Sequence, residues 1–269
     1  MTSNPGARCF FGQRVLCRRM SHGSAHIFSR PVLPLLFLSL LSCLPAPAFA
    51  LDRGLRIVTV ELGACGHMEG GRPTGFCFEL GNTLAREAGL EPDNRLVPLA
   101  RGMEEVSTRK ADMIITLPGD RIAGQVEDIG PVQSIIMVAW ARVETPLRDA
   151  RDMAGKTVAV VRGARQEFDR AKELHFIPFP CKNYELGFKM LMAGRVDAVL
   201  GPLQWLVETA RRINLNRRFL GQPLAVGRDF MHVYVSVSVS EAVRGRLRKA
   251  LNRLIEDGTV ARLRERYPI

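Results

Sequence analysis

The apolar positions change their period along the chain, and each change marks an element. Leu55 to Val60 is a β-branched run of the kind that fills a buried strand. Phe76 to Ala88 carries apolar residues at helical spacing and Leu96 to Leu99 is apolar again, which predicts strand, helix, strand. Arg101 to Lys110 reads as a helix, Met113 to Leu117 as a buried strand ended by Pro118-Gly119, and Ile135 to Ala141 as a long apolar strand. After Pro146 the alternation resumes with a helix near Asp149 to Met153, a strand Thr157 to Val161, a helix Gln166 to Glu173 and a strand Phe176 to Phe179. It continues with a helix Tyr184 to Met192, a strand Ala198 to Leu200 and a helix Gln204 to Ile213. Met231 to Ser240 alternates as an extended strand does, and two helices, Glu241 to Glu256 and Thr259 to Arg266, follow with Asp257-Gly258 as the stop between them. Elements alternating in this way predict an α/β fold.

The N-terminal fifty residues obey different rules. Arg30 precedes an apolar run, Val32 to Leu44, and then the small-residue triplet Ala48-Phe49-Ala50. This is the pattern of a secretory signal peptide over residues 1–50, cleaved after Ala50. The run is short and broken by Pro31, Pro34, Pro45 and Pro47, which argues against a membrane anchor. Lipidation at Cys43 and a start at Met20 remain open alternatives. Removing the segment takes away five arginines and no carboxylate, so 38 basic residues become 33 against 27 acidic, and the net charge falls from +11 to about +6. The excess sits in arginine-rich helices without interleaved aromatics, which predicts a solvated surface and no nucleic-acid site. Export into an oxidising compartment gives Cys65, Cys77 and Cys181 a meaning: Cys65 and Cys77 bracket a short glycine-rich loop and are the expected disulfide, leaving one thiol. His67 lies between them, but zinc-type spacings and a fourth ligand are absent, so no metal or other cofactor is expected.

Five segments in order carry a resemblance. They are Gly71-Arg72-Pro73-Thr74-Gly75-Phe76, Arg109-Lys110-Ala111-Asp112-Met113-Ile114-Ile115, Met153-Ala154-Gly155-Lys156-Thr157-Val158-Ala159-Val160 with Gly163, Gly194-Arg195-Val196-Asp197-Ala198-Val199, and Glu256-Asp257-Gly258-Thr259. Together they make the chain resemble the family 3 extracellular solute-binding proteins of ABC transporters, of the polar amino-acid type. That resemblance implies a two-lobed periplasmic binding protein fold of type II with two crossing hinge strands. Lobe 1 would hold residues 51–138 and 230–269, and lobe 2 residues 139–229. It implies a periplasmic, monomeric binder that captures a small polar or anionic, amino-acid-like molecule and presents it to an ABC transporter permease.

In α/β lobes a cleft lies outside the carboxyl ends of the strands, where helix N-termini offer free N–H groups. The loops so placed nominate Glu61, Thr74, Phe76, Arg101, Thr116, Arg121, Arg162, Arg165 and Gln204 as ligand contacts. Arg121 stands near the position of the family's carboxylate-clamping arginine, and a guanidinium forks onto a carboxylate, though a surface arginine capping a loop looks the same in sequence. Arg162 and Arg165 flank Gly163-Ala164, where the family's hydroxyl residue is missing, and Gly201-Pro202 stands where its ammonium-binding Asp would be. Phe76, Trp140, Tyr184 and Trp205 are aromatic positions of the kind that usually fill a core; Trp205, just after a strand, is the best placed over a ligand. His67, His175 and His232 belong to no nucleophile pattern. A second function class is a periplasmic enzyme on the same fold, similar to cyclohexadienyl dehydratases, with Glu61 as its general acid or base. A third is a ligand sensor acting in trans. No Ser-His-Asp order, phosphate loop or HExxH occurs, and the expectation is a binder without catalysis.

Overall fold

The computed structural model describes residues 54–267. Residues 1–50, where a signal peptide is expected, lie outside them. In chain order the strands and helices are β1 (Leu55–Val60), β2 (His67–Glu69), β3 (Arg72–Thr74), α1 (Phe76–Glu87), β4 (Pro92–Val97), α2 (Leu99–Ser107), β5 (Met113–Thr116) and β6 (Val126–Ala141). Then come β7 (Thr157–Val161), α3 (Arg165–Glu173), β8 (Ile177–Cys181), α4 (Tyr184–Met192), β9 (Ala198–Pro202), α5 (Leu203–Arg212), β10 (Leu224–Ser236), α6 (Glu241–Glu256) and α7 (Thr259–Arg266).

Eight of the strands hydrogen-bond in the order β4-β1-β5-β10-β6-β9-β7-β8. The outer trios β4-β1-β5 and β9-β7-β8 are parallel, as strands linked through helices must be. Between them β6 and β10 run antiparallel to one another and to their neighbours. These two strands carry the chain from one trio to the other and back, so the molecule is a two-lobed α/β structure. β2 and β3 form a small separate hairpin.

Each lobe ties its first strand down with the aspartate of its glycine- or arginine-turn motif. Asp112, fully buried, accepts from the Arg56 backbone N–H at 3.0 Å and from the Arg56 guanidinium at 2.9 and 2.6 Å. Asp197 accepts from the Thr157 N–H at 2.8 Å. Two of the five motifs that carried the family resemblance are thus strand locks, with the aspartates standing immediately before β5 and β9.

Several elements differ from the sequence expectation. The hinge strands are longer: β6 starts at Val126 and β10 at Leu224. Gly130, Pro131 and Gly227 hid these extensions by interrupting the alternation, and register shifts between Ala225 and Gly227 and between Met231 and His232 absorb the irregularity. β10 ends at Ser236, because Ser240 turns out to cap α6 by accepting from the Val243 N–H. The helix expected near Asp149 is one 3-10 turn, Ala150–Met153, closed by a reciprocal Asp149/Asp152 capping box. Phe176 belongs to the core before β8, which runs on to Cys181. β8 is an edge strand; its Ile177 N–H donates inward to the Lys156 carbonyl at 2.8 Å, which leaves Pro178 and Pro180 at the outward-facing backbone positions.

Candidate functional site

The carboxyl ends of β1 and β5 face those of β7 and β9, and the two lobes meet there. Glycine makes the approach possible. A Cβ on Gly63, after β1, would lie 2.6 Å from the Trp205 carbonyl oxygen, and one on Gly163, after β7, would lie 3.1 Å from the Ala100 Cα. Both glycines have left-handed φ, +53° and +95°, which side chains resist.

Between these contacts lies a cavity of about 20 Å³, little more than a water molecule. Lobe 1 lines it with Leu62, Leu99, Met103, Thr116 and Leu117. Lobe 2 contributes Gln166, Glu167, Tyr184 and Trp205. The lobe 1 wall is therefore apolar but for one hydroxyl, and the polar chemistry belongs to lobe 2.

Glu167 is 1% exposed. Its Oε2 accepts from the Val161 N–H at 2.6 Å and its Oε1 accepts from the Tyr184 hydroxyl at 2.8 Å. Burial pushes its carboxyl up to about 8; the Val161 N–H, the Tyr184 hydroxyl and the charge of Arg170 pull downward and do not overcome it. Arg170 is itself engaged, pairing with Asp229 at 3.1 Å and donating to the Val226 carbonyl. The Tyr184 phenol is pushed well above its ordinary range, first by burial and then by the Glu167 charge. Burial also raises the thiol of Cys181, which sits in the field of Glu167.

Two aromatic residues contrast. Trp140 donates its indole N–H to the Gly221 carbonyl at 2.7 Å and stacks edge-on with Phe188, a core arrangement. Trp205 is 3% exposed and lines the cavity, and its Nε1 finds no acceptor among the described residues. Gly201 explains how Tyr184 reaches the cavity. A Cβ at position 201 would come within 2.6 Å of the Tyr184 ring, so the phenol occupies the space an aspartate there would need.

The nominated residues scatter. Thr116 lines the cavity. Arg121 and Arg165 flank an open groove at its mouth, together with Met103, Gly119, Gly163 and Phe168. Arg165 also pairs with Asp169 at 2.8 Å. Gln204 faces a separate groove shared with His67, Glu69, Glu208 and Arg211. Arg101 points along the outside of α2, where it meets Glu105 at 2.7 Å beside Arg95. Glu61 and Arg162 are exposed and line neither the cavity nor its mouth. Thr74 shares a hydrogen bond of 2.8 Å with the Tyr267 hydroxyl, and Phe76 is wholly buried in the lobe 1 core. These four, with Arg101, are not brought to the cavity, because the first helix turns inward to bury Phe76 and the helix carrying Arg101 shows its charged face to solvent. Cys65 and Cys77 are joined by a disulfide, with Cα atoms 4.9 Å apart, and this bond pins the loop after β1 to the start of α1. Cys181 is the free, buried cysteine. Among the described residues no group of three or more His, Cys, Asp or Glu could hold a metal, and no helix is long and apolar enough to cross a membrane.

The architecture can be placed among known proteins. An ancestral arginine-binding protein bound to arginine superposes with a TM-score of 0.69, over 80% of this chain and 98% of that one, at 21% identity. The chain has the type II periplasmic-binding-protein fold. The ancestral amino acid-binding protein AncCDT-1, a precursor of cyclohexadienyl dehydratase, gives a TM-score of 0.66 at 18% identity, over 80% of this chain and 95% of that one. In sequence, the chain is similar to the probable amino-acid-binding protein YxeM of Bacillus subtilis, at 25% identity over 213 residues, covering 75% of this chain and 78% of the relative. No family model matches.

Proposed function

We propose that this protein is a periplasmic solute-binding protein that closes its two lobes over a small organic molecule and presents it to an ABC transporter permease, without catalysing a reaction. The observation that carries the reading is the meeting of the lobes at the carboxyl ends of two facing pairs of parallel strands, over a cavity lined from both sides. A ligand touching both walls stabilises the closed arrangement by its differential affinity for it. The lobes part within β6 and β10, whose bulges let the paired strands bend. Likeness to YxeM and to arginine-binding structures supports a solute of amino-acid size.

The test is a thermal-shift screen of the chain from residue 51 onward against amino acids, polyamines, organic acids and aromatic acids. A binder gains about 2.7 kcal/mol at a hundredfold excess over Kd. Failure of every small solute to raise Tm overturns the reading, and turnover of prephenate or arogenate replaces it with the enzyme.

A further inference from the structure

We propose that the cleft selects a small, largely hydrocarbon molecule bearing an oxygen acceptor, a carboxylate or a ketone, and no ammonium group, with the Trp205 indole N–H and the Tyr184 hydroxyl as its donors. The inference rests on the solute-binding reading and names the class of solute that site takes.

Three observations converge on it. The first is the wall. Leu62, Leu99, Met103 and Leu117 give the ligand hydrocarbon to lie against, and burying such surface favours binding. A cavity of about 20 Å³ holds no such ligand as it stands, so the lobes must separate slightly and keep these side chains on its flanks.

The second is an orphan donor. The Trp205 N–H is buried and unpaired among the described residues, on a residue that lines the cavity, whereas Trp140 has its carbonyl. A buried N–H without an acceptor is destabilising, and a ligand oxygen removes that cost.

The third is how Glu167 and Tyr184 divide their protons. The Val161 N–H occupies Oε2, so when the carboxyl is protonated its hydrogen resides on Oε1 and is donated to the Tyr184 oxygen. The phenolic hydrogen is then released to an acceptor in the cavity. When Glu167 ionises, Oε1 takes the phenolic hydrogen back and the ligand loses a donor. The buried carboxyl holds its proton up to about pH 8. The charged or titratable groups around it are Tyr184 on α4, Cys181 at the end of β8, Arg170 one turn along α3 and Arg162 after β7. Among the described residues, lobe 1 presents no titratable side chain to the cavity. Among the described residues neither wall thus offers an ammonium group a charged partner, since the carboxyl of Glu167 is protonated and has both oxygens engaged.

Calorimetric titration of the unmodified chain with leucine, 4-methylpentanoate and 4-methyl-2-pentanone tests this, because the three share one hydrocarbon skeleton. At about pH 6 the carboxylate or the ketone should bind at least about tenfold tighter than leucine, and the stronger of the two tells whether the acceptor is charged. At about pH 9.5 that affinity should fall about tenfold or more. Glu167→Gln, whose amide can donate to Tyr184 and accept from Val161, should keep the affinity found at about pH 6 and abolish the alkaline loss. Tyr184→Phe should lose about tenfold at the lower pH. Leucine binding tightest, an affinity flat across this range in the unmodified chain, or silence of all three probes overturns the inference. If polar amino acids still raise Tm in the broader screen, the solute-binding reading survives that failure; if no solute does, both fall.

Discussion

Each lobe buries one glutamate, and the two are handled in opposite ways. In lobe 1, burial pushes Glu105 upward, but hydrogen bonds and charges from Arg95 and Arg101 outweigh it and hold the carboxyl below its ordinary range. In lobe 2, Glu167 has a phenol and one backbone N–H, and desolvation prevails. The first is a surface ion pair that sank beneath its helix. The second is a neutral acid kept beside a cavity. Two buried carboxylates of one chain therefore differ in charge at neutral pH because one is met by arginines and the other by a hydroxyl and an amide.

The comparison is most exposed to a change of pH. The folded chain keeps a proton on Glu167 that the unfolded chain releases near the ordinary glutamate value. Stability from this group is complete below that value and is lost as pH rises toward about 8, by an amount on the order of several kcal/mol. Chemical denaturation across that window should show the loss in the unmodified protein and a much flatter profile in Glu167→Gln. A flat profile in both would mean that Glu167 is ionised throughout.

A smaller effect separates the strand locks. Asp112→Ala should cost about 2 kcal/mol, because it strands a guanidinium and an N–H, whereas Asp197→Ala, which strands one N–H, should cost about 1 kcal/mol. Equal costs by urea midpoint would remove the guanidinium from the account. The smallest effect belongs to Glu105→Gln, about 0.5 kcal/mol at neutral pH, since both arginine partners are substantially in solvent. Its sign of pH dependence is the reverse of that for Glu167: the contribution is present above the ordinary glutamate value and vanishes as pH falls through and below it.

The fold was legible in the sequence because its strands are period-two or solidly apolar and its helices keep their spacing, from Leu55–Val60 to the closing pair α6 and α7. The hinge extensions were not, since Gly130, Pro131 and Gly227 break the alternation that marks a strand. The site was legible only in outline. Position after a strand brought Thr116 and Trp205 to notice, and both line the cavity, but the same rule nominated Glu61 and Arg162, which are exposed and line neither the cavity nor its mouth. Glu167 went unnoticed because a glutamate in the first turn of a helix ordinarily serves the dipole from outside. Its burial depends on Tyr184, seventeen residues away, reaching over Gly201. A signal did exist in the missing side chain at Gly201, which was read as the loss of an aspartate and not as room for a phenol.

The two prolines of β8 have a consequence for the molecule among its neighbours. A strand on the rim of a sheet normally offers a row of outward amide hydrogens onto which a second chain can dock and propagate. Pro178 and Pro180 delete those hydrogens at successive outward positions, while the inward ones remain to hold β7. A copy of this chain arriving at that rim in a crowded compartment meets carbonyl oxygens without their matching donors, so the fold closes off growth by sheet extension at the far end of lobe 2.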